Sequence, residues 1–485
     1  MGLKKQVLHA TFWVGATTFF AKVVSFATIL ILAKLLTPDD FGLIAIATLI
    51  TATIGLFRHL GLSQALIYQK DEIAKAADAA FFMVPITSSV LYLLAFVSAP
   101  LIASFFRNAA VTSLARVMAL SLIISSFGLV PSALFEKKLE FKKKAIPDAV
   151  HLITYGIISI TLAFLGFRYW SLAIGLLGAD LASLISVWLI SDWRPKLRFD
   201  RKIAKELLSY GKYITGSGIM TFAIRNIDDA FVGRLLGTTV LGAYNFAYRI
   251  ANFPATNITN ILGRVAFPAF SKIQDDIGAL REAFFKMFKY ISLLTIPISF
   301  GIIAVTPDFI TLIYGTKWIS AILPIQILSI YGLLRSLSAN MGSVFLAKGK
   351  ADILFKVSSG QLLCLALFLY PFIRIGGVIG VCVLLSIIFI FVAITYVVKL
   401  KKILQNPYME FLEILFPITI ISAIAVLVPM TISKLIWEKP KFLSLCFEMV
   451  FMVSLYISMV LSTDRDLRNF VRSILTFKIL ESSSK

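Results

Sequence analysis

Residues 375–398 read IGGVIGVCVLLSIIFIFVAITYVV, a run without a single charged side chain. A transmembrane helix needs about 20 consecutive, mostly apolar residues. Similar runs recur along the whole chain of 485 residues, of which 59% are hydrophobic and 15% charged, against about 25% charged in soluble domains. This composition excludes a soluble enzyme, a disordered chain and a secreted disulfide scaffold, and it predicts an all-α, polytopic membrane protein.

Fourteen apolar segments are predicted as membrane helices, separated by short joints that contain Gly, Pro and charged residues. No joint is long enough for a folded soluble domain. The predicted segments are 9–33, 41–66, 79–106, 113–135, 148–167, 170–191, 207–236, 240–270, 284–305, 319–347, 353–373, 375–398, 412–432 and 442–461.

Basic residues are concentrated in alternate joints. With the N-terminus inside, the even-numbered joints and both termini hold thirty Lys and Arg, whereas the odd-numbered joints hold nine. Because cytoplasmic loops of membrane proteins collect Lys and Arg, this asymmetry predicts that both termini lie in the cytoplasm. It also accounts for most of the net charge of +21 without a nucleic-acid partner.

A short repeat divides the chain into halves. The sequence AKLL at 33–36, followed by Gly42, recurs two hundred residues later as GRLL at 233–236, followed by Gly242. Internally repeated halves with a site at their interface are typical of transporters. The predicted organisation is an N-terminal lobe over 1–191, a basic cytoplasmic linker over 192–206, a C-terminal lobe over 207–398, and two further helices with a tail over 399–485.

Charged residues inside the predicted spans are candidate binding residues, because each costs about 2.5–3.5 kcal/mol at the centre of a membrane helix. Long basic side chains near helix ends reach water at little cost, which makes Lys212 and Arg264 the weaker candidates. The acids at this depth are Asp180, Asp228, Asp229 and Glu448, and the bases are Lys22, Arg58, Lys212, Arg225, Arg249, Arg264 and Arg335.

The seventh span carries an arginine shortly before two aspartates, in the sequence IRNIDD at 224–229. Residues three and four apart share a helix face and can pair. Two interpretations stay open. Arg225 forms a structural salt bridge with Asp228 or Asp229 that lets the helix insert, or it lines a watery cavity with its charge tuned by these carboxylates.

The eighth span carries a polar stripe whose members are three or four residues apart. On a straight helix they fall within an arc of about 120°. Polar stripes also join membrane helices to one another, but two arginines exceed what such packing requires. The stripe consists of Asn245, Arg249, Asn252, Thr256, Asn260 and Arg264.

Lys22 and Arg58 are the single cations on faces of spans one and two that otherwise hold small and hydroxyl residues. Such faces alone are typical of helix packing. Together with the polar faces of spans seven and eight, they predict a cavity of net positive charge. Its ligand would be an anion, with phosphate or diphosphate as the obvious candidate because arginine binds these groups in a bidentate manner.

Motifs of nucleotide, zinc and acyl-transfer chemistry are missing from the sequence. The three cysteines and three histidines are scattered, so no metal site, disulfide or cofactor is predicted. An ATPase engine is excluded within this chain, and no catalytic residues are assigned. The sequence therefore predicts a transporter and not an enzyme, driven by an ion gradient, by the gradient of its substrate, or by neither.

Several motifs resemble the bacterial polysaccharide flippases of the Wzx type, which belong to the multidrug/oligosaccharidyl-lipid/polysaccharide exporter superfamily. The similarity runs over nearly the whole chain. It is carried by AKLLTPDDFGL at 33–43, LGLSQAL at 60–66, Asp228-Asp229, VGRLLG at 232–237, LGAY at 241–244 and FPAFSK at 267–272.

The resemblance implies a V-shaped pair of six-helix lobes around a central cavity, working by alternating access in the bacterial inner membrane. It implies as cargo an oligosaccharide on undecaprenyl diphosphate, moved from the cytoplasmic to the outer leaflet for O-antigen, capsule or exopolysaccharide synthesis. Family members carry cavity cations on spans one, two, seven and eight, which Lys22, Arg58, Arg225 and Arg249 match by helix and depth. Asp228, Asp229 and Asn252 complete the expected substrate-binding set.

Other functions are less consistent with the residues. A multidrug cation exporter of the same superfamily should favour buried acids, whereas this membrane interior holds seven bases and four acids. A membrane glycosyl ligase or polymerase should carry a large outer loop. Beyond the lipid-linked cargo, the expected partners are membrane lipids and polysaccharide assembly or export proteins, and H⁺ or Na⁺ stays open as the coupling ion.

Overall fold

A computed structural model describes residues 24–57, 66, 72–138, 140–196, 200–437, 442–463 and 468. Only the backbone is described at 141, 201–202, 204–218, 258 and 260–265. Throughout the described ranges the regular structure is helical, which confirms the predicted all-α class.

The helices follow the predicted segments closely. A π-helical turn (Ile310–Tyr314) and a 3₁₀ turn (Thr316–Ala321) connect the helix Ile277–Phe309 to the helix Ile322–Ala347. The helices are α1 (Val24–Leu35), α2 (Pro38–Gly55), α3 (Ile73–Phe106), α4 (Ala110–Met118), α5 (Leu120–Lys137), α6 (Phe141–Phe164), α7 (Tyr169–Ile190), α8 (Arg201–Leu236), α9 (Thr238–Ala251), α10 (Phe253–Lys272), α11 (Ile277–Phe309), α12 (Ile322–Ala347), α13 (Ala351–Leu404), α14 (Tyr408–Ile436) and α15 (Phe442–Thr463).

Ten helical segments in the described part of the chain are long and apolar enough to cross a membrane. Large apolar side chains on these helices face outward. Val97 is 72% exposed and Leu189 79% exposed, which an aqueous surface would penalise and a lipid environment favours. The chain is a multi-pass membrane protein, and the helices are compatible with fourteen spans, a count that stays a prediction.

Helix α13 contains 54 residues, which at 1.5 Å per residue would extend about 80 Å, far beyond the ~30 Å of a bilayer core. A single non-helical residue, Gly377 with φ of 55° and ψ of −137°, divides it into two arms. This backbone conformation favours glycine. The division lies three residues from Arg374, where the sequence predicts the joint between spans eleven and twelve.

The chain packs as two units. The first comprises Met1–Phe246 and Gln361–Val381, and the second comprises Ala247–Gly360 and Cys382–Lys485. The predicted lobes, 1–191 and 207–398, were drawn from the linker and the repeat and stay a prediction. In terms of packing, α8 groups with the helices that precede it.

In the first unit, small residues of α3 pack against α5. Ala77, Ala80 and Val84 of α3 are fully buried against Val130 and its neighbours on α5. Asp78 is buried on the same helix, where its Oδ1 accepts a hydrogen bond of 3.1 Å from the Lys196 backbone N–H. This bond ties the basic linker to α3.

In the second unit, aromatic rings form the core. Phe284, Phe288 and Phe345 are almost fully buried, and Phe411 of α14 meets Phe288 edge-to-face with ring centroids 4.9 Å apart. Such edge-to-face pairs add about 0.5–1.5 kcal/mol beyond the area that they bury. The cluster joins α11, α12 and α14.

The two copies of the sequence repeat lie against each other inside the first unit, where the start of α2 crosses the start of α9. A side chain at Gly42 would overlap the Thr238 carbonyl oxygen, and a side chain at Gly242 would overlap the Pro38 carbonyl oxygen. The contact is therefore reciprocal between positions two hundred residues apart. It brings the two backbones as close as they can pack.

Asp39 strengthens this crossing. Its Oδ1 accepts hydrogen bonds from the hydroxyls of Thr238 and Thr239, the latter at 3.3 Å. The neighbouring Asp40 is buried, closes the capping box of α2 with Thr37, and forms an ion pair of 3.2 Å with Arg168. The crossing fixes where α9 begins, and α9 carries Asn245 and Arg249 of the predicted polar stripe.

Candidate functional site

Helices α8 and α9 form an antiparallel hairpin around Gly237, and polar side chains pair across it. Asp228 is buried, and its Oδ2 accepts a hydrogen bond from the Tyr244 hydroxyl. Asp229 Oδ1 accepts a bond of 3.0 Å from Asn245 Nδ2. Both pairs are sixteen residues apart, as expected for facing positions on a hairpin that turns at its centre.

This pairing corrects the salt-bridge interpretation of Arg225. Its side chain is exposed, and no ion pair joins it to Asp228 or Asp229 in the part of the chain that the structure describes. The physical reason is that α9 supplies neutral donors to both carboxylates. Arg225 is thus not neutralised by an ion pair with either carboxylate, and its role in ligand binding stays a prediction.

The eighth predicted span is two helices and not one straight helix. Helix α9 ends at Ala251, Asn252 has a φ of −89° and a ψ of 6°, and α10 begins at Phe253. Pro254 in the first turn of α10 explains the break, because proline lacks an N–H and its ring clashes with the carbonyl four residues earlier. The prediction that the stripe lies on one straight helix is therefore wrong, because the helix is interrupted at Asn252.

The members of that stripe have different surroundings. Arg249 is exposed, whereas Asn252 is only 1% exposed. The Thr256 hydroxyl donates a bond of 2.9 Å to the Asn252 carbonyl, which also accepts from the Thr256 backbone N–H at 2.9 Å. The side chains of Asn260 and Arg264 fall outside the described side chains.

Arg335 of α12 contacts the helix break between α9 and α10. The sequence had assigned no specific role to this residue. Its Nη1 donates to the Tyr248 hydroxyl and to Asn252 Oδ1, both at 3.2 Å. Asn252 Nδ2 in turn donates to the Tyr248 carbonyl at 3.2 Å. One turn before Arg335, a side chain at Gly332 would overlap the Ala251 carbonyl.

A sequence signal for this contact exists. The triplet Asn252-Phe253-Pro254 marks a helix break, and Arg335 is a membrane-depth cation with a glycine three residues before it. A break in a membrane helix calls for polar partners, and Arg335 donates to two side chains at the break, Tyr248 and Asn252. What the sequence lacks is the information that α12 packs on α10.

Lys22 and Arg58 lie outside the described residues, as does the side chain of Lys212. The predicted convergence of spans one, two, seven and eight on one cavity therefore stays a prediction. Each described arginine can be considered within its own unit. Neither Arg225 in the first unit nor Arg249 in the second has a carboxylate partner in the described part of the chain.

Comparisons with known proteins agree on one family. A family model described as "Polysaccharide biosynthesis protein" matches residues 31–323. The chain is 29% identical to the teichuronic acid biosynthesis protein TuaB of Bacillus subtilis, over 80% of each chain. It is 27% identical to the lipopolysaccharide biosynthesis protein WzxC of Escherichia coli, over 85% of this chain and 84% of that protein.

The fold is also that of a solved transporter. The lipid II flippase MurJ, in an inward closed conformation, superposes with a TM-score of 0.74 over 93% of this chain and 98% of that chain. Sequence identity in this superposition is 18%, so the comparison speaks for the fold alone. It confirms the helical membrane fold that the sequence resemblance implied.

Proposed function

From the premise that this chain belongs to the polysaccharide biosynthesis protein family, we propose that it is a flippase for a lipid-linked oligosaccharide. The cargo is an oligosaccharide on undecaprenyl diphosphate, and alternating access moves it from the cytoplasmic to the outer leaflet. The sugar then serves the synthesis of O-antigen, capsule or exopolysaccharide. The membrane is the bacterial inner membrane, with both termini in the cytoplasm.

The observation that carries the proposal is the state of the charges on α8 and α9. Two carboxylates that could neutralise Arg225 are bonded instead to Tyr244 and Asn245, while Arg225 and Arg249 are exposed. A diphosphate carries the charge that such guanidinium groups bind in a bidentate manner. Lys22 and Arg58 are proposed to contribute further positive charge to the same ligand.

This arrangement favours an anionic cargo over an organic cation. A site for a drug cation would present free carboxylates, and the two carboxylates beside Arg225 already accept hydrogen bonds. No covalent step is proposed for the chain, because binding the diphosphate and exchanging access require only positioned charges and helix movement. The flippase would act with enzymes that make and polymerise the sugar.

Flipping itself is the decisive measurement. The protein would be reconstituted in sealed proteoliposomes that hold a fluorescent undecaprenyl diphosphate sugar, and an external quencher would report its arrival at the outer leaflet. Protein-dependent loss of protection, absent from an Arg225→Ala protein that still inserts, is the expected result. No movement of the lipid, with or without an ion gradient, would contradict the proposal.

A further inference from the structure

A cavity of about 270 Å³, lined by hydroxyl and carboxyl groups as well as by apolar side chains, lies between α5 and α7 in the first unit. Ser125, Ser132 and Glu136 line it from α5, and their spacing of seven and four residues places them on one helix face. Asp180 and Ser183 line it from α7. Such a volume holds several water molecules at ~30 Å³ each, and its polar lining gives them hydrogen-bond partners.

The cavity extends deep into the membrane from one end. Glu136 belongs to the last turn of α5 and borders the basic joint 136–147, which the charge count predicts to be cytoplasmic. Ser125 lies eleven residues earlier on the same helix, or about 16 Å along its axis. Asp180 lies ten residues from the end of α7 at Ile190, which is about 15 Å, close to the middle of a bilayer core.

At the depth of Asp180, a histidine of α6 contacts this aspartate. His151 Nε2 on α6 lies 3.1 Å from Asp180 Oδ1, and the two side chains are 31% and 12% exposed. The second oxygen, Oδ2, is buried and has no hydrogen-bond partner among the described residues. Helix packing alone would be served by a fully satisfied polar pair, so a buried oxygen without a partner, on a residue that lines the cavity, calls for another explanation.

The charged groups around this pair come from every helix that packs on it. Asp148 is one turn before His151 on α6. Glu136 on α5 is held in an ion pair with Lys144. On the side of α2, Asp40 is paired with Arg168, about 18 Å before Asp180 along α7.

Helix α4 contributes one more charge, Arg116, which donates to the Phe96 carbonyl at 3.2 Å and lies over the Phe96 ring. The acids near His151 are therefore Asp180 and Asp148, with Glu136 already neutralised. In the described part of the chain no three His, Cys, Asp or Glu side chains converge as a metal site would need.

We propose that the His151–Asp180 pair is the coupling-proton site of the transporter, reached by water through the cavity between α5 and α7. The proposal rests on the transport function proposed above. A proton from water in the cavity adds to the pair, whose net charge rises by one. No bond other than that to the proton forms or breaks.

The physical basis of coupling is the cost of charge in a membrane protein. With His151 neutral and Asp180 ionised the pair carries one negative charge at a depth where isolated charge is disfavoured, and protonation removes that charge. Helices α6 and α7 are locked together, since a side chain at Gly175 would overlap the Ser159 hydroxyl. The change in charge of the His151–Asp180 pair is therefore expected to move α7 relative to α5, where the cavity leaves room, and not relative to α6.

The first test measures flipping under a proton gradient in the proteoliposomes described above. The ratio of initial rates with and without an imposed pH gradient is compared for the wild type, His151→Gln and Asp180→Asn. Asp192→Asn is the matched control, because Asp192 is a carboxylate at the end of α7, with a side chain 79% exposed, outside the cavity. We expect a ratio different from unity in the wild type and Asp192→Asn, and unity in the other two.

Two results of this test would overturn the coupling site and leave the flippase intact. One is a wild-type rate that ignores the pH gradient. The other is a His151→Gln or Asp180→Asn protein whose ratio equals that of the wild type. A wild type that fails to flip under any gradient would contradict the transport function and the coupling together.

The second test does not depend on flipping. The chain has three histidines, so the imidazole signal absent from His151→Gln identifies the His151 ring in ¹⁵N-labelled protein. We expect this imidazole signal to respond to pH in the wild type and to respond differently in Asp180→Asn. A signal that does not change with pH, or that changes identically in Asp180→Asn, would overturn the proton site.

Discussion

Arg225 shows how a single residue can keep its charge next to two acids. The carboxylates of Asp228 and Asp229 face α9, where Tyr244 and Asn245 donate to them, and the guanidinium stays exposed. Because each carboxylate already accepts a hydrogen bond from a neutral donor, the Arg225 side chain gains less by turning toward it. The same sequence without Tyr244 and Asn245 would form the salt bridge that the helix spacing allows.

Replacing Arg225 or Arg249 with Ala should abolish or strongly reduce flipping while the protein still inserts. A hydrogen bond to a charged group contributes about 1.5–3 kcal/mol, so cargo affinity should fall roughly ten- to hundredfold. Quencher-based flipping and membrane fractionation would measure the two effects. The control is Arg374→Ala at the bend of α13, which should flip normally; normal flipping by both Arg225→Ala and Arg249→Ala would refute the cationic site.

Arg335 should matter for stability through its two acceptors. Arg335→Ala removes the donor to the buried Asn252 Oδ1, and an unsatisfied buried polar group costs about 1–3 kcal/mol. A lower thermal unfolding midpoint in detergent is therefore expected. Arg335→Lys keeps a donor and should recover part of the loss, so an Ala variant as stable as the wild type would show that the break at Asn252 needs no partner.

At the scale of elements, the crossing of α2 and α9 is the tightest helix contact described in the first unit. Gly42→Ala or Gly242→Ala would drive a methyl group into a carbonyl oxygen of the other helix, and such overpacking costs about 1–3 kcal/mol. Thermal unfolding of the detergent-solubilised protein would measure the loss.

Gly301→Ala is the matched control for this prediction. Gly301 lies inside α11, and a side chain there would meet no atom within 4 Å. Alanine is favoured over glycine within a helix by about 0.5–1 kcal/mol, so the variant should be as stable as the wild type or more stable. Equal stability of Gly42→Ala and Gly301→Ala would mean that the crossing tolerates separation.

The helices could be predicted from the sequence because apolar runs of bilayer length have few alternatives. The break at Asn252 could also have been predicted, since Pro254 cannot continue a helix, but the even spacing of the polar stripe suggested a straight one. The partners of Asp228 and Asp229 could not, because they depend on where α8 turns. Arg335 could be identified from the sequence as a cation at membrane depth, but its contacts could not be predicted without knowing how α12 packs.

At the scale of the whole molecule, the alternation of basic joints predicts the orientation of every helix. Single cysteines would be introduced as Lys142→Cys, in a joint predicted inside, and Arg374→Cys, in a joint predicted outside, after removal of Cys364, Cys382 and Cys446. We expect a membrane-impermeant thiol reagent to label Arg374→Cys in intact cells and Lys142→Cys only after lysis. The reverse labelling would invert the topology, and equal labelling would contradict the predicted span count between them.

The bend at Gly377 bears on how the protein is made. Between 357 and 398 the only charged residue is Arg374, and it lies beside the bend, where its Nε donates to the Tyr370 hydroxyl at 3.0 Å. Both arms can therefore leave the ribosome as a preformed hairpin and partition into lipid in one event. Only the few residues of the turn, with one positive charge, then have to cross the membrane. The free-energy barrier to this step is far smaller than the barrier to translocating a polar loop.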